Sequence, residues 1–312
     1  MDIRHTLSGL DGAAVAGQAS APWRRLYPFA PHYATVGGLR YHYVDEGGGE
    51  AVVMLHGNPT WSFMYRDFIA RLRDGWRAIA PDHIGCGLSD KPQDYPYRLA
   101  NHIENLEHLL DHTLSLPRLN LVVHDWGAPV GMGYAVRHPE KIARIVVFNS
   151  AAFLSRRFPW RVRLCRTPGL GSLALRGLNL FARAALARAP AHPERLSPDV
   201  RAGYLAPYDS YRNRIATLRF VQDVPMRRSH PSWRTLADIE ARLPALAAKP
   251  GFIAWGMKDP CFPPAFLDRW VGHLPRVQVL RLADAGHYLL EDDGPAVLAA
   301  VVEFLSRPET SP

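Results

Sequence analysis

Asp125 has the strongest chemical context in this chain. It follows the apolar run at 119–123 and His124, and precedes Trp126, Gly127 and a segment rich in small residues. A buried strand, a sharp turn and a small-residue helix form the elbow on which layered α/β hydrolytic enzymes present a nucleophile. Serine is the usual residue there, and a carboxylate changes the chemistry. It is already ionised at neutral pH and needs no base to activate it. It suits displacement at an sp³ carbon carrying a leaving group, which makes an alkyl ester of the protein. An aspartate that only caps the following helix has the same sequence signature, and the two roles are compatible.

Four other residues complete a reaction site on paper. His56-Gly57-Asn58-Pro59 ends the apolar run at 51–55. The Asn58 amide and the Trp126 indole N–H can both donate to a departing anion. Ala283-Asp284-Ala285-Gly286-His287 follows the run at 277–282. A histidine late in the chain fits the order nucleophile, acid, histidine. Among the 14 histidines, His287 alone combines that order with a strand-end loop. Its acid partner is expected at Asp259, which follows the run at 251–255 and Gly256-Met257-Lys258. Asp284 and Glu291 compete for that role but stand very near His287 in sequence. The glycine-bearing loop from Asp82 to Asp90 is expected to support the site. Cys86 and Cys261 fall near these loops without a base pattern that would mark a nucleophilic thiol.

These residues need a scaffold that gathers strand ends. Strand patterns at 40–45, 51–55, 77–80, 119–123 and 142–148 alternate with helical patterns at 60–72, 99–114 and 127–137. Thr60 is the expected N-cap of the first of these helices. Alternation with continuous apolar strands predicts an α/β fold: a mostly parallel, doubly wound sheet covered on both faces. From 150 to 232 the chain reads as helical and arginine-rich, without buried strands. Strands return at 251–255 and 277–282, with helices at 264–274 and 296–305. The expected division is a loose lead-in at 1–24, a core at 25–149 and 233–312, and a helical cap at 150–232. Such a cap lies over the strand C-termini, where these sheets bind ligands.

Composition narrows the function classes. The 312 residues are 47% hydrophobic and 21% charged, a globular balance that excludes a disordered chain. The net charge of +8 suits an acidic partner or an anionic surface. No nucleic-acid-binding motif accompanies it, so no nucleic-acid partner is expected. Three cysteines at long spacings imply neither a disulfide framework nor a zinc site. No run of 18 apolar residues and no secretory h-region are present, and a cytoplasmic location is expected. From Arg156 to Arg188 there are eight arginines and no acid, interleaved with leucines such as Leu164, Leu170, Leu173, Leu178 and Leu180. That stretch reads either as the solvated basic face of a cap or as a surface for a membrane or an acidic partner.

The segments His56 to Phe63, Asp82 to Pro92, His124 to Gly127 and Gly286-His287 resemble the haloalkane dehalogenase branch of the α/β-hydrolase fold. The likeness runs from about Tyr27 to Leu305. It implies a helical cap inserted after the sixth strand. It also implies Asp125 as nucleophile, Asn58 and Trp126 as holders of the leaving anion, and His287 with Asp259 as base and acid. No metal or cofactor is implied. A nearer resemblance rests on Tyr27 to Tyr33, His83 to Pro92, Asn149 to Phe153, Pro207 to Ser210 and Arg219 to Asp223. These look like the bacterial β-lactone decarboxylases of long-chain olefin biosynthesis. That resemblance implies a long-chain apolar substrate and association with the enzymes that make it. An epoxide hydrolase would carry an aromatic at the position of Asn58. A non-catalytic binding protein on this scaffold would not need the whole residue set.

Overall fold

The computed structural model describes residues 21–157, 160–167 and 169–308. An eight-stranded sheet organises them. Its strands are β1 (His32–Val36), β2 (Leu39–Gly47), β3 (Ala51–Leu55), β4 (Arg77–Pro81), β5 (Leu119–Asp125), β6 (Ile142–Ser150), β7 (Gly251–Gly256) and β8 (Val277–Leu282). The spatial order is β1-β2-β4-β3-β5-β6-β7-β8. β1 pairs antiparallel with β2 and β2 antiparallel with β4; the other pairs are parallel. Residues of β3, β5, β6 and β7 are buried almost throughout. That is the pattern of strands covered on both faces, and it explains their unbroken apolar runs. Two large apolar clusters lie on opposite faces, one including Leu55, Val123 and Ile145, the other Met54, Val122 and Val146. Alternate side chains of one strand therefore feed different layers.

Several local expectations are corrected. β1 is an added edge strand with most of its residues exposed. The lead-in is not loose throughout: residues 1–20 lie outside the described residues, but Pro22–Leu26 forms a 3₁₀ turn. Trp23 in that turn packs edge-on against Trp61 at 5.7 Å. Thr60 does not cap a helix. Its hydroxyl takes the Gly57 N–H and donates to the Gly57 carbonyl, both at 3.1 Å, which closes the Asn58 turn. Helical structure begins only at Ser62–Tyr65, as 3₁₀, and continues through Arg66–Leu72. The helix at Leu99–Glu107 widens into a π turn at His108–Thr113.

The cap follows β6. Its described helices include Leu180–Arg188, Pro198–Leu205 and Ile215–Asp223. Asp223 ties the last of these to the core: it accepts from the Leu99 N–H and pairs with Arg98. A second tie is buried. Arg66 meets Glu291 through two N–H donors at 2.6 and 2.8 Å, and the cap's Tyr204 hydroxyl donates to the same carboxylate at 2.6 Å. Removing one charge strands the other away from water. Arg66→Met is therefore expected to lower stability by about 3 kcal/mol in urea unfolding. An unchanged midpoint would show that Glu291 reaches solvent or another partner.

Candidate active site

The site forms where β3, β5, β7 and β8 end. Asp125 closes β5 with φ of 49°, in the left-handed region. Non-glycine residues rarely occupy it, and aspartate is among the more tolerant. The neighbouring backbone is shaped to allow it. A Cβ on Gly127 would lie 2.1 Å from the Leu55 carbonyl oxygen. A Cβ on Gly57 would lie 2.3 Å from both Cβ and Oδ1 of Asp125. The elbow and the Asn58 turn therefore touch backbone to side chain, which only glycine at those two positions permits.

The Asp125 carboxylate is held from several sides. The Asn58 backbone N–H donates to Oδ1 at 2.7 Å, and the Trp126 backbone N–H donates as well. Oδ2 stands 3.9 Å from His287 Nε2. Burial pushes the Asp125 carboxyl above its ordinary range, against the pull of His287 and the two N–H groups. A more basic carboxylate is the better nucleophile, provided it stays ionised. Asn58 also donates Nδ2–H to the Thr217 carbonyl of the cap at 3.2 Å. Trp126 lies with its ring 5.1 Å from Phe220, on the same cap helix. The structure thus brings Asn58 and Trp126 to the nucleophile, and the helix at 215–223 roofs all three.

His287 Nδ1 donates to Asp259 Oδ2 at 2.8 Å. The other Asp259 oxygen accepts the Cys261 and Phe262 N–H groups at 2.6 and 3.0 Å, which fixes the carboxylate's orientation. The two competing acids are elsewhere. Asp284 is exposed and pairs with His192 and Lys258. Glu291 belongs to the Arg66 pair. Burial alone would lower the His287 pKa. The charge and hydrogen bond of Asp259, with Asp125 behind them, outweigh it and raise the pKa above 6.5. A raised histidine pKa means the folded state holds the proton more tightly. The stability it contributes is complete below pH 6.5 and is lost as pH rises through the folded pKa. Asp259→Asn is expected to move the His287 titration downward in NMR and to flatten this loss. The lost charge-assisted bond should lower stability by about 1–3 kcal/mol at pH 6. An unmoved imidazole titration would count against Asp259 as its partner.

Sequence reasoning missed the groups that pin these loops. Asp292 is buried and accepts from the Gly286, Ala191 and His192 N–H groups at 2.8–2.9 Å. The His287 N–H donates to the Ala189 carbonyl of the cap at 2.7 Å, and His124 Nε2 donates to the His287 carbonyl at 3.0 Å. A carboxylate five residues past the histidine was the available signal. The Asp82 loop behaves as expected. Asp82, fully buried, accepts from the Ser62 and Leu88 N–H groups and from His42. Next to it, His83 donates its N–H to His56 Nε2 at 3.0 Å, which leaves His56 Nδ1–H for the Gly57 carbonyl.

The geometry sets a buried carboxylate on a strand-end elbow beside the His287–Asp259 pair. A profile of the alpha/beta hydrolase fold matches residues 50–294. A cis-3-alkyl-4-alkyloxetan-2-one decarboxylase of Shewanella oneidensis is 44% identical over 290 residues, covering 91% of each chain. One from Xanthomonas campestris pv. campestris is 40% identical over 294 residues, covering 90% of this chain and 97% of that one. Among solved structures, a haloalkane dehalogenase of Bradyrhizobium elkani superposes with a TM-score of 0.81 at 27% identity, over 89% of this chain and 98% of that one. With a sheet of this order, an elbow at Asp125 and a match spanning most of its length, the chain belongs to the α/β-hydrolase fold family.

Proposed function

We propose that this protein is a β-lactone decarboxylase, converting a cis-3-alkyl-4-alkyloxetan-2-one into a cis-alkene and CO₂. The observation that carries this reading is the 44% identity, across nine-tenths of both chains, to a protein named for that reaction. The site supplies the chemistry. Asp125 attacks the ring carbon that bears the lactone oxygen, from the side opposite that oxygen. The C–O bond breaks and its electron pair leaves on the new carboxylate, while ring strain is released. In this route the Asn58 amide and the Trp126 indole N–H hold that carboxylate. The carboxylate then leaves as CO₂. The pair from the breaking C–C bond forms the alkene and expels Asp125, on the opposite face. Inversion followed by anti loss equals net syn loss, so a cis-lactone gives a cis-alkene. Asp125 is regenerated without water, so on this route His287 need not activate water and instead tunes the charge beside the nucleophile. The same reading gives the protein a cytoplasmic location. No helix among the described residues is long and apolar enough to cross a membrane. Association with the enzymes that supply an insoluble lactone is part of the proposal.

The shared residue set makes haloalkane hydrolysis the second reading, favoured by His287 lying 3.9 Å from the nucleophile, where it can activate water on an ester. A paired assay separates the two. Purified protein receives a cis-3,4-dialkyl β-lactone in one reaction and a 1-bromoalkane in the other. The expected result is catalytic cis-alkene, followed by proton NMR, with at most one equivalent of bromide. Steady bromide release with untouched lactone would leave a dehalogenase.

A further inference from the structure

The cap carries a pattern of charge and apolar surface that the chemistry at Asp125 does not use. Residues 150–232 hold fifteen arginines, no lysine and four acids. Their net charge of +11 exceeds the +8 of the whole chain, so the rest of the chain is net −3. The apolar surface concentrates in the same place. Leu164, Leu170, Leu173, Leu178 and Leu180 are 48–61% exposed. Among the described residues the other exposed large apolar side chains are Leu26, Tyr33 and Tyr211. Tyr211 joins the leucine group: its hydroxyl bonds Ser172 at 2.8 Å, and the Arg176 guanidinium lies 4.0 Å over its ring.

The stretch is sided. Leu175 turns inward to a small cluster with Leu218 and Val221 of the helix at 215–223, and Phe181 packs against it. Leu164, Leu170, Leu173, Leu178 and Leu180 stay outside that cluster and remain about half exposed among the described residues. Several of the arginines also spend their N–H donors on neutral acceptors. Arg176 donates to the Tyr211 carbonyl and the Gln93 amide, and Arg214 to backbone carbonyls, so neither is paired to an acid. Arg163, Arg183 and Arg188 are exposed. Exposed leucines interleaved with one sign of charge along one stretch of the cap mark an interaction surface rather than a solvated face.

We propose that this face of the cap docks on an anionic lipid bilayer, with leucines at the acyl boundary and arginines on lipid phosphates. Two observations favour lipid over an acidic protein. The exposed apolar residues are chiefly leucines, which are under-represented at protein hot spots and suited to interfacial insertion. In addition, the layer rests on the helix whose Phe220 and Thr217 contact Trp126 and Asn58. The docked face is thus one helix away from the nucleophile. Delivery of a two-chain apolar lactone from the bilayer rests on the decarboxylase reading; docking itself does not.

The test is flotation of the full-length protein with vesicles of phosphatidylcholine alone or with about one third phosphatidylglycerol. Expected is flotation with the anionic vesicles at low salt and none with neutral ones. Leu173→Glu with Leu178→Glu should cut the floated fraction at least about tenfold, and Arg183→Ala with Arg188→Ala should cut it and weaken its salt dependence. Thermal melting by circular dichroism checks that both variants stay folded. No flotation of the wild type overturns the proposal. Equal flotation of the leucine variant also overturns it, because charge alone would then explain binding and an acidic protein would fit as well. The readout needs no turnover. A protein that floats but leaves the lactone untouched removes the decarboxylase reading alone, and one that makes alkene without floating removes docking alone.

Discussion

Asp125→Asn is expected to reduce alkene formation by about 10⁴-fold or more in kcat with the fold intact. The route makes and breaks a bond to one oxygen of this side chain, and an amide oxygen is too weak a nucleophile to open the ring. Asparagine is the right substitution because it isolates that property. It tolerates the left-handed φ of 49° almost as well as aspartate, whereas alanine would add backbone strain of about 1 kcal/mol. Its Oδ1 can still accept the Asn58 N–H, so the elbow keeps its contact with the neighbouring turn. Burial no longer acts on a charge there, and the thermal midpoint should hold or rise. Gas chromatography of the alkene and thermal melting would check both halves. Alkene production within about tenfold of wild type, in a folded protein, would rule out covalent catalysis by Asp125.

The site was legible in the sequence to the extent that its chemistry sits at strand ends. Asp125, Asn58, Asp259 and His287 each follow a run of apolar residues, and a parallel sheet must bring such ends to one edge. Distance along the chain from His287 then separated Asp259 from Asp284 and Glu291, which the structure places in surface and buried ion pairs. What hydrophobic periodicity could not supply is the side-chain bonding inside loops. Thr60 looked like a cap because it precedes a helical pattern, yet its hydroxyl bonds back to Gly57 and helps to set the Asn58 turn. Asp292 went unremarked because nothing in its spacing sets it apart from its neighbours Glu291 and Asp293, yet it takes three backbone N–H groups and so aims His287. β1 was missed because an edge strand with most residues exposed has no apolar run to announce it. The π turn at His108–Thr113 is invisible for a related reason, since one widened turn hardly disturbs a 3.6-residue pattern.

Gly57→Ala is the second large effect, because it tests position without touching chemistry. The added methyl would lie 2.3 Å from Cβ and Oδ1 of Asp125, far inside van der Waals contact. The neighbour cannot swing away cheaply. Asp125 is held by the Asn58 and Trp126 N–H groups, and its backbone is fixed by β5 and by Gly127 against the Leu55 carbonyl. The Asn58 turn on the other side is closed by Thr60. Relief must therefore come from moving the whole turn, and with it Asn58, away from the nucleophile. A displacement near 1 Å between reacting groups costs about 10²-fold in rate, and that loss is expected in kcat for the lactone. Stability should also fall, by about 1–3 kcal/mol as for other overpacked sites. Gly272→Ala is the matched control: its Cβ meets nothing within 4 Å, so kcat should not change. If Gly57→Ala lowers thermal stability but leaves kcat at the wild-type value, the Asn58 turn moves without consequence for Asp125. Asn58 would then lose its place as a holder of the leaving carboxylate, and Trp126 would have to carry that charge alone.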